Sequence, residues 1–312
     1  MIDLDAAKTT LADVVVPGLQ RPVSDFLNSV ECTADSVKLS LSVPVVELAA
    51  IEDACFDALV SEWSALTNVN IEFAAPEAPV QASLEALGGV KNTIVVASGQ
   101  GGVGKSTTSV TLALALSELG ANVGILDADI YGPSIQVMMG VADGVRPQQA
   151  EGKYFVPVQA HGLQTMSMAY LVTEKTPMVW RGPMASGALQ QILKQTLWQD
   201  LDYLIIDMPP GTGDIQLTLS QSLPVSGAVI VTTPQTVALL DAQKGIEMFK
   251  KVSVPLFGVI ENMSFHQCSA CGHEEAIFGS GAGEQIEKEY GVGLMAQLPL
   301  QSNPDKMHRH SS

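Results

Sequence analysis

Between an apolar run, Thr93–Ala97, and a helix-like run, Thr107–Leu119, the chain reads Ser98-Gly99-Gln100-Gly101-Gly102-Val103-Gly104-Lys105-Ser106. From Gly99 to Ser106 it satisfies the spacing G-x-x-x-x-G-K-[ST]. A strand, a tight loop and a helix must follow in that order, so that loop N–H groups and the positive end of the helix dipole converge on one anion. Glycines permit the approach because a Cβ would obstruct it. The spacing predicts a phosphate-binding loop made of Gly99, Gln100, Gly101, Gly102, Val103, Gly104, Lys105, Ser106 and Thr107. Lys105 reaches the β- and γ-phosphates, and the Ser106 hydroxyl ligates Mg²⁺. A merely flexible glycine-rich turn leaves the Lys-Ser at the helix start unexplained.

Beyond Thr93, strand-like and helix-like segments alternate. Thr93–Ser98, Val123–Asp127, Tyr203–Asp207, Ala228–Thr233, Leu256–Glu261 and Leu294–Leu298 are apolar on both faces, as buried parallel strands are. Lys105–Leu119, Pro183–Trp198, Ile215–Ser222, Thr236–Val252 and Ala282–Tyr290 are the helices between them. The predicted fold is α/β: a doubly wound, mostly parallel sheet with its site at the carboxyl ends of the strands. A small α+β domain precedes it over residues 1–75. There Val37, Leu39, Leu41 and Val43 alternate as in a strand, Leu48, Ile51, Cys55 and Leu59 keep helical spacing, and Asn68–Ala74 is a second strand. Residues 76–90 read as a Pro/Ala-containing linker, 91–300 as the nucleotide-binding domain, and 301–312 as an atypical, poorly ordered tail.

Composition narrows the partners. The 312 residues include 33 acidic and 16 basic ones, a net charge of −17. That balance argues against nucleic acid and against anionic lipid surfaces, both of which call for clustered Lys and Arg. The N-terminus has no basic, apolar leader and no long uncharged run is present, so a cytoplasmic protein without membrane spans is expected.

Two acidic groups follow strand ends: Leu126-Asp127-Ala128-Asp129-Ile130-Tyr131-Gly132-Pro133 and Asp207-Met208-Pro209-Pro210-Gly211-Thr212-Gly213-Asp214. An apolar strand ending in Asp207 fits the carboxylate on the Mg²⁺ side of a phosphate-loop enzyme, and the Gly-Thr-Gly behind it fits a loop that senses the γ-phosphate. Asp129 is the candidate for orienting the attacking water and Asp127 for supporting it. With Lys105 these three carboxylates form the predicted catalytic set. Asp127, Asp129 and Asp214 are also readable as turn or cap residues.

Of four cysteines, two form Cys268-Ser269-Ala270-Cys271, flanked by His266 and His273. Two thiolates in one turn can grip a metal. A [4Fe–4S] cluster usually takes four thiolates, so a two-fold dimer would supply two from each chain. Zinc held by four Cys across the same dimer is the rival, and a redox dithiol is a third reading. His266 and His273 are surface or supporting residues, and Cys55 belongs to an apolar helix stripe.

These motifs carry a resemblance. Gly99–Ser106 resembles the deviant phosphate loop of MinD, ParA and nitrogenase iron-protein relatives. Within that class, Asp127–Ser134 (DADIYGPS), Trp180–Met184 (WRGPM), Asp207–Asp214 (DMPPGTGD), Thr233–Gly245 (TPQTVALLDAQKG), Glu261–Ser264, Cys268 and Cys271 are similar to the Mrp/ApbC family of iron–sulfur carrier ATPases. The resemblance implies a homodimeric ATPase that binds ATP, holds a [4Fe–4S] cluster and passes it to recipient apoproteins. It also implies an adenine contact by Asn262 and an iron–sulfur-assembly role for residues 1–75. The alternatives are a zinc-bridged nucleotide-binding scaffold and a positioning ATPase. One departure stands out: the deviant loop normally carries a second lysine where this chain has Gln100. A trans cation of the arginine-finger type is worth ~10³–10⁵ in rate, so slow hydrolysis is expected unless a residue such as Arg181 substitutes.

Overall fold

The computed structural model describes residues 2–16, 21–33, 35–42, 48–74, 86–171, 182–222 and 224–300. Val43, residues 75–85, Trp180, Arg181 and the tail 301–312, all subjects of expectations above, lie outside the described residues. The chain divides into two compact units, residues 1–78 with 115–122 and residues 79–114 with 123–312, so that most but not all of the helix Lys105–Glu118 belongs to the second.

The first unit contains α1 (Leu4–Thr10), the short ribbon β1 (Val15–Val16) and β2 (Arg21–Pro22), then β3 (Leu27–Cys32), β4 (Ser36–Ser42), α2 (Leu48–Glu62) and β5 (Asn68–Ala74). β4 pairs antiparallel with β3 and parallel with β5, the parallel crossover being made by α2. Val37, Leu39 and Leu41 alternate into the core, where Ile51, Cys55 and Leu59 of α2 are also buried. The Asp3 side chain caps α1, accepting the Ala6 N–H at 2.8 Å.

The second unit begins with β6 (Val90–Ala97), α3 (Lys105–Glu118), β7 (Val123–Asp127) and α4 (Ile135–Met138). A ribbon, β8 (Gln148–Ala150) and β9 (Tyr154–Val156), leads to β10 (Val158–Ala160) and β11 (Leu163–Ser167). Then follow α5 (Gly182–Gln195), β12 (Leu201–Asp207), α6 (Asp214–Ser222), β13 (Gly227–Thr232) and α7 (Thr236–Lys251). The unit closes with β14 (Leu256–Gln267), β15 (Glu274–Glu275), α8 (Ala282–Tyr290) and β16 (Leu294–Leu300).

The large sheet runs β10-β11-β7-β12-β6-β13-β14, and β14 pairs on with both β15 and β16. All neighbours are parallel except β10 on β11 and β15 on β14. The α/β reading therefore holds: β7 and β13 are fully buried along their length, which is why they are apolar on both faces. The chain leaves β6 for β7, two places away, returns to β12 between them, and then builds outward from the other side of β6. That reversal of winding falls at β12 and β6, and in open α/β sheets ligands bind outside the carboxyl ends of the strands at such a point. No helix among the described residues is long and apolar enough to cross a membrane.

The structure adds elements that periodicity does not announce. β11 reads Leu-Gln-Thr-Met-Ser, its Thr165 and Ser167 buried by hydrogen bonding rather than by apolar character. α5 stops at Gln195 rather than Trp198, because Thr196 bridges to Phe155 and Leu197 donates to the Phe155 carbonyl. β14 continues past Glu261 to Gln267 through a register shift.

Candidate functional site

Three sequence-predicted side chains meet at the carboxyl ends of β6 and β12. Asp207, fully buried, ends β12, and the helix that follows the loop brings Lys105 and Ser106 to it. Ser106 Oγ donates to Asp207 Oδ2 at 2.6 Å, and Lys105 Nζ lies 2.8 Å from Oδ1. The ammonium, itself buried, also donates to Ser106 Oγ at 3.3 Å. A further residue joins them: Ser109, with no exposed surface, donates to Asp207 Oδ1 at 2.6 Å, its oxygen also lying 3.1 Å from the Lys105 carbonyl. Buried charges are tolerable only when so paired and hydrogen-bonded.

Close packing fixes the loop. Gly104 has φ +83°, and a Cβ there would lie 2.2 Å from Asn262 Nδ2. A Cβ on Gly99 would lie 2.1 Å from the Asp241 carbonyl oxygen. Ser98 Oγ donates to the Gln100 carbonyl at 2.8 Å, and the Gly211 N–H from the loop after β12 donates to the Ser98 carbonyl at 2.9 Å. Gly101, Gly102 and Thr107 are exposed, while Val103 is buried. This cradle, with backbone N–H groups at the start of α3, fits a polyphosphate. The Ser106 hydroxyl beside the Asp207 carboxylate is a hard oxygen pair of the kind Mg²⁺ takes. Gln100 Oε1 is buried with no hydrogen-bond partner among the described residues, so no neighbour fixes which way the amide faces.

Asp127 lies beside Asp207 in register across β7 and β12. Its carboxylate accepts three backbone N–H groups, from Asp129 (3.0 Å), Ser134 (2.9 Å) and Ile135 (3.0 Å), the last two from the start of α4. It therefore holds the following loop in place. Burial, reinforced by the charge of Asp207, nevertheless raises its pKa to about 7. Asp129 is half-buried, accepts the Gly132 N–H at 3.2 Å and does not join the Lys105–Asp207 cluster. Asn262 reaches the loop from β14: its Nδ2 donates to the Val103 carbonyl at 2.9 Å.

Cys268 and Cys271 stand at the far end of the same strand. The Cys268 N–H donates to the His273 carbonyl at 2.9 Å and the Gly272 N–H to the Cys268 carbonyl at 2.8 Å. These bonds close a knuckle between β14 and β15. The Ala270 and Cys271 N–H groups and the Cys271 thiol all point at the Cys268 sulfur and lower its pKa. Cys271 is exposed and Cys268 half-buried. Among the described residues no group of three His, Cys, Asp or Glu is poised to hold a metal, so the knuckle presents two thiols alone. Cys55, by contrast, is pushed by burial to about 12.

No motif marks Ser109, and Glu261 enters the sequence reading only as a strand end and the first residue of the motif Glu261–Ser264, without a role of its own. Ser109 lies three residues after Ser106 and four after Lys105, on the same face of α3, which is its only signal. Glu261 closes the apolar first half of β14, whereas Asp127 and Asp207 end their strands.

A family model described as the ParA, NUBPL iron-transfer P-loop NTPase matches residues 89–311. An "Iron-sulfur cluster carrier protein" of Pseudomonas fragi is 59% identical over 243 residues, covering 77% of this chain and 85% of its own length. A protein of the same description from Haemophilus influenzae is 51% identical over 296 residues, covering 91% of this chain and 78% of its own. Among solved structures, a nucleotide-binding protein of Archaeoglobus fulgidus, in complex with ADP and with cobalt found, superposes with a TM-score of 0.62 at 34% identity. That match covers 70% of this chain and 86% of the other. A phosphate-binding loop, a strand-end carboxylate at its helix and a two-thiol knuckle thus occur in a chain that belongs to the NUBPL iron-transfer P-loop NTPase family.

Proposed function

We propose that the chain is an iron–sulfur cluster carrier that binds and hydrolyses ATP and transfers a [4Fe–4S] cluster, bridged across a homodimer, to recipient apoproteins. The observation that carries this reading is the knuckle: two thiols, one already drawn toward thiolate, with no third ligand among the described residues. A cubane cluster takes about four thiolates, and two copies related by a two-fold axis supply them.

Lys105 holds the β/γ-phosphates in this proposal, exchanging its partner Asp207 for phosphate oxygens. Ser106 and Asp207 hold Mg²⁺, which neutralises developing phosphate charge when bound. Asp129, in the loop after β7, orients the attacking water, and Asp127 fixes the loop that carries it. Asn262 contacts the adenine base. Gln100 brings no charge to the phosphates, so turnover is slow. Residues 1–75 serve as an accessory domain for cluster assembly, and the carrier works in the cytoplasm.

Anaerobic reconstitution of the full chain tests the reading. About two iron and two sulfide per chain, visible absorption and a dimeric mass are expected, and all three are lost in Cys268→Ser/Cys271→Ser. A colourless dimer that takes up zinc instead favours the scaffold reading. Iron fully retained by the double variant would place the cluster elsewhere and refute the assignment.

A further inference from the structure

Glu261 is fully buried, yet it lies outside the phosphate cluster and the knuckle. Its carboxylate is held from three directions. Oε1 accepts Ser264 Oγ at 2.8 Å and Gln297 Nε2 at 3.0 Å, and Oε2 accepts the Gly283 N–H at 2.8 Å. Ser264 Oγ also lies 2.8 Å from the Glu261 carbonyl. These partners occupy three elements: Ser264 on β14, Gln297 on β16, and Gly283 in the first turn of α8.

Their placement relates to the metal loop. The chain leaves β14 after Gln267, forms the Cys268–Cys271 knuckle and β15, and resumes regular structure at Ala282. Glu261 thus ties the strand before the loop to the helix after it. The next residue, Asn262, places its amide on the phosphate loop at Val103. Between them β14 is deformed. Glu261 pairs with Gln297 and Phe265 with Pro299, so four steps on β14 answer two on β16. Met263, inside that bulge, has φ +56°, a left-handed conformation that a non-glycine side chain adopts only when its surroundings hold it there. A bulge re-aims side chains and is a built feature of a strand.

We propose that Glu261 is a positioning residue that couples occupancy of the phosphate loop to the presentation of Cys268 and Cys271. A displacement of the Val103 carbonyl moves the Asn262 amide, and with it the bulge. A buried carboxylate cannot shed its donors cheaply, so Ser264, Gln297 and the start of α8 move with Glu261 as one body. Both stems of the knuckle loop then shift together. This coupling is the regulation of the site proposed above and rests on that reading.

The test uses the full-length, metal-free protein and reads thiol chemistry. Alkylation rates of Cys268 and Cys271 are measured by peptide mass spectrometry, with and without Mg²⁺ and a non-hydrolysable ATP analogue at saturating concentration. Wild type is expected to change rate about fivefold or more on nucleotide addition, and Glu261→Gln and Ser264→Ala to stay within about 1.5-fold. Ser264→Thr, which keeps the hydroxyl, retains the wild-type ratio. A residue that merely supported the fold would alter both rates alike and leave their ratio unchanged. Where Glu261→Gln fails to fold, the Ser264→Ala and Ser264→Thr pair decides. A wild-type ratio near one, or a wild-type ratio preserved in Ser264→Ala with nucleotide bound, overturns the coupling. Iron content after reconstitution, measured separately, reports on the carrier reading and does not enter the ratio.

Discussion

Replacing Ser109 by alanine removes the hydroxyl that donates to Asp207 Oδ1 at 2.6 Å and leaves the rest of α3 untouched. The acceptor is a fully buried carboxylate already paired with a buried ammonium. A hydrogen bond to a charged group contributes about 1.5–3 kcal/mol, so a loss of about 2 kcal/mol is expected. In a unit of this size that lowers Tm by roughly 4–8 °C. Scanning calorimetry reads the shift, and the transition that moves upward on adding Mg²⁺ and nucleotide identifies the nucleotide-binding unit. Thr108→Val is the control. It deletes a neighbouring hydroxyl at nearly constant shape, but that hydroxyl donates to the neutral Gly104 carbonyl at 3.0 Å. The control should therefore cost about 1 kcal/mol or less. Equal shifts for the two variants would refute the claim that Ser109 stabilises the Asp207 carboxylate.

Gly104→Ala must place a methyl 2.2 Å from Asn262 Nδ2 at φ +83°, so nucleotide affinity measured by calorimetric titration should fall at least about tenfold. Gln100→Lys should raise steady-state phosphate release, with ~10³-fold as a scale for a full trans cation; an unchanged rate would show the position idle. The Asp127 pKa is raised from 3.8 to about 7. Its proton therefore contributes stability that is fully present below pH 3.8 and lost as pH rises through 7, at most roughly 4 kcal/mol. Asp127→Asn lacks this dependence. Urea titrations should show the variant gaining on wild type between about pH 5 and pH 7.5, and parallel pH profiles would contradict the raised pKa.

The fold was readable where burial alone decides. Val123–Asp127 and Gly227–Thr232 are apolar up to their last residues because both faces are covered, and Ala282–Tyr290 matches its predicted bounds. It was unreadable where polar residues are buried by partners distant in sequence, as in β11, whose Ser167 donates to Asp127, 40 residues back. The same divide runs through the site. The loop and Asp207 are marked by local spacing, so their convergence could be expected from the order of strand, loop and helix. Ser109 looks like any serine in a helix until β12 is set beside it. Glu261 acquires its partners from α8 and β16, 22 and 36 residues onward, and local pattern is silent at that range. The bulge at Met263 is equally hidden, since only the pairing of β14 with β16 creates it.

The N–H groups that turn toward the Cys268 sulfur do not distinguish between iron and oxygen. A thiol eased toward its anion, beside an exposed neighbour three residues on, is also the first to meet peroxide. Oxidation in air is therefore expected first at Cys268, as a sulfenate or a disulfide with Cys271, while burial protects the Cys55 thiol. Under the proposed carrier role, aerobic purification would damage the two thiols meant to hold the cluster, and a reductant would have to precede reconstitution.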